Sequence, residues 1–216
     1  MKILCVTYRD WAKKIYNKLQ KTKKKNQKFY FHFKKKHLKK KINSVNPDYI
    51  LFFGWSWIIK KNIYKNYKCL MLHPSRLPKF RGGSPIQNQI IRNIKKSGLT
   101  IFEINEILDG GDILFQHSMS LAGNLDDIFT RMIKIGYKGT YKILNSRKIR
   151  KIRQNHQNAT YYKRRNPKDS EITLQEIKNF SPNYILNKIR MLADPYPNAF
   201  IKLKGKKLLI KDFKII

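Results

Sequence analysis

Two short loops of this sequence combine a histidine, carboxylates and glycines in a pattern that suits proton transfer. The loop from His73 to Pro85 holds three prolines, which restrict its backbone. The loop from Leu108 to Asp112 places Asp109 beside two glycines. A rigidly presented histidine can accept a proton, and a nearby carboxylate can orient its ring. Residue types alone leave two alternatives open, namely a structural histidine and an ordinary Asp–Gly turn.

The end of the first loop has the residue types that bind anions. Backbone N–H groups of Gly82 and Gly83, ahead of a helix that starts at Ser84 and Pro85, can approach a negative charge. Lys79 and Arg81 add positive charge nearby. We therefore expect an anionic part of a substrate to bind at Lys79, Arg81, Gly82, Gly83 and Ser84. The alternative is a tight turn with solvated cations.

Short apolar runs that alternate with helical patterns must position these loops. The runs predict strands over residues 3–7, 29–33, 49–53, 68–72, 99–104 and 113–118. Helical spacing predicts helices over residues 10–19, 34–45, 58–64, 86–96 and 126–145. This alternation indicates an α/β fold with a doubly wound, mostly parallel sheet. Ligands of such sheets bind at the carboxyl ends of the strands, where both loops and the stretch 54–57 fall.

The pattern changes near residue 150. We expect a catalytic domain over residues 1–150 and a small C-terminal α+β extension over residues 151–216, with residues 147–157 as a basic linker. The extension shows a helix over 182–192 and a hairpin of strands 199–203 and 206–213 around Gly205. It is too small to hold a core of its own, so it should pack on the first domain.

Composition excludes several classes of protein. Hydrophobic residues make up 41% of the 216 residues, which supports a real core, and the formal charge of +35 is spread along the chain as on solvated faces. Cys5 and Cys69 form no CxxC spacing, so we expect neither a disulfide framework nor a metal site. No apolar run approaches the ~20 residues of a membrane span. We expect a protein of the cytoplasm, with no membrane partner.

Motifs across most of the chain resemble one family. The two loops, read as His73-Pro74-Ser75-x-Leu77-Pro78-x-x-Arg81-Gly82-Gly83-Ser84-Pro85 and Leu108-Asp109-x-Gly111-Asp112-Ile113-Leu114, are similar to the signature of formyltransferases that use 10-formyltetrahydrofolate. The stretch 54–59 looks like the wall of the folate pocket in short members. Segments 164–172 and 189–200, with Pro-x-Asp-Ser and Pro-Tyr-Pro motifs, look most like the sugar N-formyltransferases.

The resemblance implies roles for particular residues. His73 would accept the proton of the attacking amine or stabilise the oxyanion, and Asp109 would orient it. The resemblance places Lys79 and Arg81 on a nucleotide diphosphate. A pterin pocket would be lined by Phe53, Gly54, Trp55, Ile58 and Asp109.

The implied reaction moves a formyl group from 10-formyltetrahydrofolate to a nucleotide-linked amino sugar. A dTDP-4-amino-4,6-dideoxyhexose is the commonest acceptor class that the resemblance implies, with a 3-amino sugar or a UDP or GDP carrier as open alternatives, and a surface glycan such as the lipopolysaccharide O-antigen is the destination. The oligomeric state stays open: related short enzymes are often dimers, and residues 213–216 could supply an apolar contact to a homodimer. Nucleic acid is not an expected partner on this interpretation.

One position departs from the family pattern. The family has Asn-x-His where this chain has Met71-Leu72-His73, and methionine has no N–H to donate to an oxyanion. Losing one such donor costs roughly 100- to 1,000-fold in rate. A backbone N–H, Asn88 or Gln87 would have to replace it, or the enzyme is slow or inactive.

Three further alternatives stay open. The acceptor could be glycinamide ribonucleotide, although that subfamily carries Asp-x-Gly-Pro at the Asp109 loop. It could be methionyl-tRNA, although those enzymes carry an additional barrel domain for which this sequence leaves no room. The chain could also be an inactive basic module that binds nucleic acid, in which case affinity would fall steeply with salt.

Overall fold

A computed structural model describes residues 1–211 and shows a six-stranded sheet with the strand order β2-β1-β3-β4-β6-β7. The first four strands of this order are parallel, and β6 and β7 run antiparallel to their neighbours. The strands are β1 (Lys2–Val6), β2 (Lys28–His32), β3 (Tyr49–Phe53), β4 (Lys68–His73), β6 (Lys96–Glu103) and β7 (Ile113–Ser120). The predicted mostly parallel α/β fold is confirmed.

Helices cover both faces of the sheet. They are α1 (Asp10–Lys21), α2 (Leu38–Val45), α3 (Lys61–Tyr64), α4 (Pro85–Ile90), α5 (Leu125–Asn145), α6 (Leu174–Asn179) and α7 (Pro182–Arg190). Alternate residues of β1 show how the layers form, because Ile3 and Cys5 face a core shared with α1 and α5, whereas Leu4 and Val6 face a core shared with α2. None of the helices within residues 1–211 has the length and apolar character of a bilayer span.

Three helices differ by three residues or more from their predicted bounds. The predicted helix 86–96 ends at Ile90, since Asn93 takes a left-handed conformation (φ 56°) and Lys96 already belongs to β6. Helix α2 begins at Leu38, after a left-handed His37 (φ 63°). Helix α3 begins only at Lys61. A left-handed residue breaks helical hydrogen bonding, and hydrophobic spacing does not reveal it.

The C-terminal part adds a small hairpin and one short strand that pairs with the first loop. Strands β9 (Ala199–Leu203) and β10 (Lys206–Ile210) form the predicted hairpin. The proposed apolar contact of residues 213–216 and the end of the predicted second strand lie outside the described residues. Strands β5 (Arg81–Gly82) and β8 (Tyr161–Tyr162), which hydrophobic patterning does not predict, pair in parallel beside the first loop.

Candidate active site

The structure brings together the two residues that the sequence analysis places at the centre of the chemistry. His73 is the last residue of β4, and Asp109 lies in the connection between β6 and β7. The His73 Nδ1 atom is 3.6 Å from Asp109 Oδ2. The two residues are only 5% and 8% exposed. A histidine and a carboxylate that face each other with little water between them can share the charge of a transferred proton.

The His73 ring is held in one orientation by the loop that follows it. Nε2 lies 2.7 Å from the carbonyl oxygen of Phe80. Because a carbonyl only accepts, Nε2 carries a proton, and in the neutral ring Nδ1 is the free basic nitrogen. The loop itself is tied down, since Ser75 Oγ donates to the Lys79 carbonyl and Thr100 Oγ1 donates to the Ser75 carbonyl. The basic nitrogen therefore faces Asp109.

Asp109 is held by backbone contacts on both sides. Its Oδ2 atom accepts a hydrogen bond of 2.8 Å from the Gly82 N–H of the first loop. Its backbone is left-handed (φ 50°), a conformation that costs a non-glycine residue about 1 kcal/mol or more. A Cβ atom at Gly111 would overlap the carbonyl of Glu103, so the turn needs glycine there. The carboxylate is fixed by contacts that its own loop does not supply alone.

Residues 152–165, which we call the strap, run along both loops. Ile152 forms a bridge with Ile113 at the start of β7. The Thr160 carbonyl accepts from the Arg81 N–H, and the Thr160 hydroxyl accepts from the Phe80 N–H. The Tyr162 carbonyl accepts from the Gly83 N–H. The interpretation of residues 147–157 as a linker is therefore wrong from Ile152 onward, and the boundary at residue 150 stays a prediction.

Arg81 does not occupy the position that a diphosphate contact requires. Its side chain is fully buried, and its guanidinium donates to Tyr161 Oη at 2.7 Å, to Gln154 Oε1 at 2.6 Å and to His156 Nδ1 at 3.1 Å. The expected role of Arg81 on a diphosphate does not fit this burial. Lys79 is exposed instead, and it lines an open groove of about 630 Å³ beside Arg76.

The anion-binding site predicted at Gly82 and Gly83 is taken up by hydrogen bonds within the protein. The N–H groups of Gly82 and Gly83 donate to Asp109 and to the Tyr162 carbonyl, so neither points to a free site. Ser84 Oγ accepts from the Arg165 N–H. Both glycines are needed because a Cβ atom at either would overlap strap backbone. The prediction of an anion-binding site at these glycines is therefore wrong, because the absence of their side chains makes room for the strap backbone.

Met71 lies on the same side of β4 as His73, because the two residues are two positions apart in the strand. Its side chain is partly buried and packs against the cluster of Leu77, Phe102 and Ile113. The Asn88 side-chain amide donates to the carbonyls of Gly83 and Lys163. Because both hydrogens of the Asn88 amide are used in these two bonds, the amide is not available to an oxyanion.

Gln87, the second predicted replacement, points toward the C-terminal part. It is buried, and it acts on the Tyr196 hydroxyl. Burial raises the pKa of Tyr196, and the influence of Gln87 only partly offsets the rise. Gln87 and Asn88 thus both face later parts of the chain.

Of the residues predicted to line a pterin pocket, Phe53, Trp55 and Asp109 are buried, Gly54 is partly buried and Ile58 alone is exposed. Phe53 is fully buried and stacks on Tyr16, so its side chain belongs to the core, and Gly54 is left-handed (φ 62°) against Arg9. Trp55 is buried, whereas Ile58 is 93% exposed.

Tyr8, Trp55 and Trp57 form an aromatic cluster, which we call the aromatic shelf, and Ile58 follows Trp57 in the sequence. Trp57 is 36% exposed and packs against Trp55 and Tyr8, with ring centroids 4.6 and 4.9 Å apart. The Lys35 ammonium lies 5.7 Å from the Trp57 ring centroid. Trp57 lies within the stretch 54–59 that the sequence analysis compares to a pocket wall. Tyr8 was not among the predicted pocket residues, although it follows the end of β1, which is the signal that could have found it.

The chain is similar to known proteins along most of its described length. A profile described as formyl transferase matches residues 5–144. Methionyl-tRNA formyltransferase of Ehrlichia canis (strain Jake) is 34% identical over 175 residues, which are 79% of this chain and 55% of that protein. The chain thus spans about half the length of the curated relatives it matches.

Solved structures give the same fold. Methionyl-tRNA formyltransferase from Clostridium thermocellum superimposes with a TM-score of 0.90 at 34% identity, covering 100% of this chain and 94% of that chain. A 4-N formyltransferase from Francisella tularensis superimposes with a TM-score of 0.76 at 20% identity, covering 99% and 98%. The second likeness, at this identity, supports the fold alone.

Proposed function

Because the chain belongs to the formyl transferase family, we propose that it transfers a formyl group from 10-formyltetrahydrofolate to the amino group of methionyl-tRNA. One observation carries the reaction, namely the buried pair of His73 Nδ1 and Asp109 Oδ2 at 3.6 Å. It supplies a base and a countercharge at the carboxyl edge of the sheet, where α/β folds bind their ligands.

The donor fits the aromatic shelf. Exposed apolar surface at Ile58 and Trp57, beside Tyr8, suits the flat ring of a pterin. We assign Tyr8, Trp57 and Ile58 to the donor site through their side chains, and Gly54 through its backbone. Bound there, 10-formyltetrahydrofolate would supply an activated formyl group.

His73 and Asp109 handle the proton in this proposal. Nδ1 takes the proton that the amino nitrogen loses as its bond to the formyl carbon forms. Nδ1 then returns this proton to the donor nitrogen N10 as the bond between N10 and the formyl carbon breaks. The Asp109 carboxylate stabilises the resulting imidazolium. The bond from Nε2 to the Phe80 carbonyl keeps Nδ1 facing inward during both steps. Proton transfer by a placed group is worth roughly 100- to 10,000-fold.

The acceptor assignment follows the stronger similarity. Two methionyl-tRNA formyltransferases share 34% identity with this chain, whereas the 4-N formyltransferase shares 20%. The formal charge of +35 also suits an acceptor whose phosphates attract lysine and arginine. The predicted amino sugar therefore becomes the alternative acceptor, and the expectation that nucleic acid is not a partner is reversed.

An acceptor panel tests the proposal. Purified protein is incubated with 10-formyltetrahydrofolate and, separately, methionyl-tRNA, a series of dTDP-4-amino sugars and glycinamide ribonucleotide. We expect formyl-methionyl-tRNA as the product, and a loss of at least about 100-fold in His73→Asn. His117→Asn, on the exposed edge strand β7, should match the wild type. Turnover with a sugar alone would overturn the acceptor assignment, and turnover with no acceptor would overturn the activity.

A further inference from the structure

A buried glutamine of the strap joins the two loops that carry His73 and Asp109. Gln154 is 6% exposed. Its Oε1 atom accepts from Arg81 Nη2 at 2.6 Å, and its Nε2 atom donates to the carbonyls of Asp109 at 2.9 Å and Gly111 at 2.7 Å. Since arginine only donates and carbonyls only accept, the amide has one possible orientation. Both of its ends are therefore used, one on each loop.

The Gln154 amide donates hydrogen bonds to the part of the second loop whose backbone is strained. Asp109 has a left-handed backbone, and such residues persist only where their surroundings enforce the conformation. The two bonds from Nε2 grip the carbonyls on either side of Gly110. Without this donor, both carbonyls would be buried with one partner fewer, and the turn would relax. The Asp109 carboxylate would move with it.

The other end of the amide acts on the anchor of His73. Arg81 follows Phe80, whose carbonyl holds His73 Nε2, and precedes Gly82, whose N–H holds the Asp109 carboxylate. Among residues 1–211, the buried guanidinium donates to three neutral acceptors, of which Gln154 provides the shortest contact. Its position thus depends on the strap.

We propose that Gln154 is a positioning residue, which sets the spacing between His73 and Asp109 by binding Arg81 in one loop and the Asp109 turn in the other. The inference rests on the proposed function of this pair. It assigns to the strap a part in catalysis, although no strap side chain is placed on the reacting atoms.

Two substitutions separate positioning from packing. Gln154→Glu keeps an oxygen for Arg81 but cannot donate to the Asp109 and Gly111 carbonyls, and Gln154→Met loses both contacts at similar volume. A displacement of about 1 Å at a reacting group costs on the order of 100-fold in rate. We expect kcat to fall 10- to 100-fold in both variants by that estimate. The KM values for donor and acceptor should stay within about twofold of the wild-type values, because neither variant changes a residue that we assign to substrate binding, such as those of the aromatic shelf.

Gln27 offers a matched control at the opposite end of the sheet. It is 4% exposed, accepts from the Lys24 N–H, and donates to Leu144 and Asn145. Gln27→Met should lower the melting temperature about as much as Gln154→Met does, since each removes the contacts of one buried amide. Its kcat should remain that of the wild type.

A second measurement keeps the inference testable whatever the acceptor is. The ring nitrogen and carbon shifts of His73 are recorded by NMR in the substrate-free protein. We expect them to change in both Gln154 variants and to stay unchanged in Gln27→Met. The inference is overturned if the His73 shifts in the Gln154 variants equal those of the wild type, or if an active wild type and these variants share the same kcat. If the wild type transfers no formyl group, the proposed function fails, and the NMR result alone decides the positioning.

Discussion

Buried ionisable groups lie in two regions of this protein, and burial has different consequences in each. Inside the sheet, burial raises the pKa of the Cys5 thiol and the Tyr16 hydroxyl well above their ordinary values, and that of Cys69 to about 12. At the carboxyl edge, His73 and Asp109 are similarly buried but face each other and have fixed hydrogen-bond partners. Burial without a stabilising charged partner favours the neutral form of a group, whereas burial beside an opposite charge favours the charged form.

The backbone of the two regions differs in the same way. Strands β1 and β3 are regular, and their apolar side chains alternate between the two cores. Around the candidate site, Phe80, Ser84 and Asp109 have positive φ angles, as does Gly82. Such residues cluster where a structure must place groups that packing alone would not. Apolar burial builds the sheet, and specific hydrogen bonds build the site.

The largest effect on stability should come from a glycine of the edge. Gly82→Ala places a Cβ against the Tyr162 carbonyl at a φ of 93°, so conformational strain and overlap combine to lower the free energy of unfolding by about 3 kcal/mol. Gly205→Ala, at a φ of 79° with no atom within 4 Å, should cost only about 1 kcal/mol. Urea unfolding of the two variants measures the difference. Equal losses would mean that the strap does not press on the loop.

A buried ion pair outside the site should have an effect on stability of similar size. Lys188 Nζ lies 2.6 Å from Glu176 Oε1, and its side chain is only 4% exposed. Burial raises the pKa of Glu176, but hydrogen bonds from Lys188 and Thr173 outweigh burial and lower that pKa overall. Removing one partner of such a pair costs about 3 kcal/mol, so we expect about that loss in Glu176→Gln at neutral pH.

The pH dependence of this pair follows from the lowered pKa. The folded-state value lies below the unfolded value of about 4.3. The stabilisation is therefore complete above the unfolded value and is lost as the pH falls through the folded one. Unfolding of the wild type and Glu176→Gln between pH 3 and pH 8 should show the two curves converging on the acid side. Asp10→Asn, which removes the exposed pair with Lys13, should change nothing measurable. A gap that persists undiminished at pH 3 would contradict this assignment.

The smallest effect is expected at the buried thiols. Burial and, secondarily, the charge of Glu103 raise the pKa of Cys69 to about 12, so almost no thiolate exists at pH 8. A thiol reagent should leave Cys5 and Cys69 unmodified in the folded protein and react with both after unfolding. Cys69→Ala should keep the wild-type kcat. Fast modification of the folded protein would show that these groups are not silenced by burial.

The sheet and the two loops could be predicted from the sequence because their signals are local. Tyr49–Phe53 is a continuous apolar run, and the structure has β3 with the same bounds. His73 and Asp109 each follow a predicted strand, and the fold rule for strand ends brings them to one edge. These signals need no knowledge of distant contacts.

The strap could not be predicted, because its contacts are distant along the chain. Gln154 stands in a basic, polar stretch with no hydrophobic period. It nevertheless contacts Arg81 and Asp109, which lie 73 and 45 positions earlier in the chain. Arg81 shows the opposite error, since a cation beside glycines suggests an anion site and its burial is visible only in the fold. Polar residues reveal their partners only once the chain has folded.

A double-mutant cycle on His73 and Asp109 tests most directly whether the pair acts as one unit. Single-turnover rates of formyl transfer are measured for the wild type, His73→Asn, Asp109→Asn and the double variant, with the acceptor that the panel identifies. Each single change should slow transfer by at least about 100-fold. The double variant should be no slower than the slower single variant, because residues that act as a unit are not additive. Losses that multiply in the double variant, or a single variant at the wild-type rate, would contradict the account.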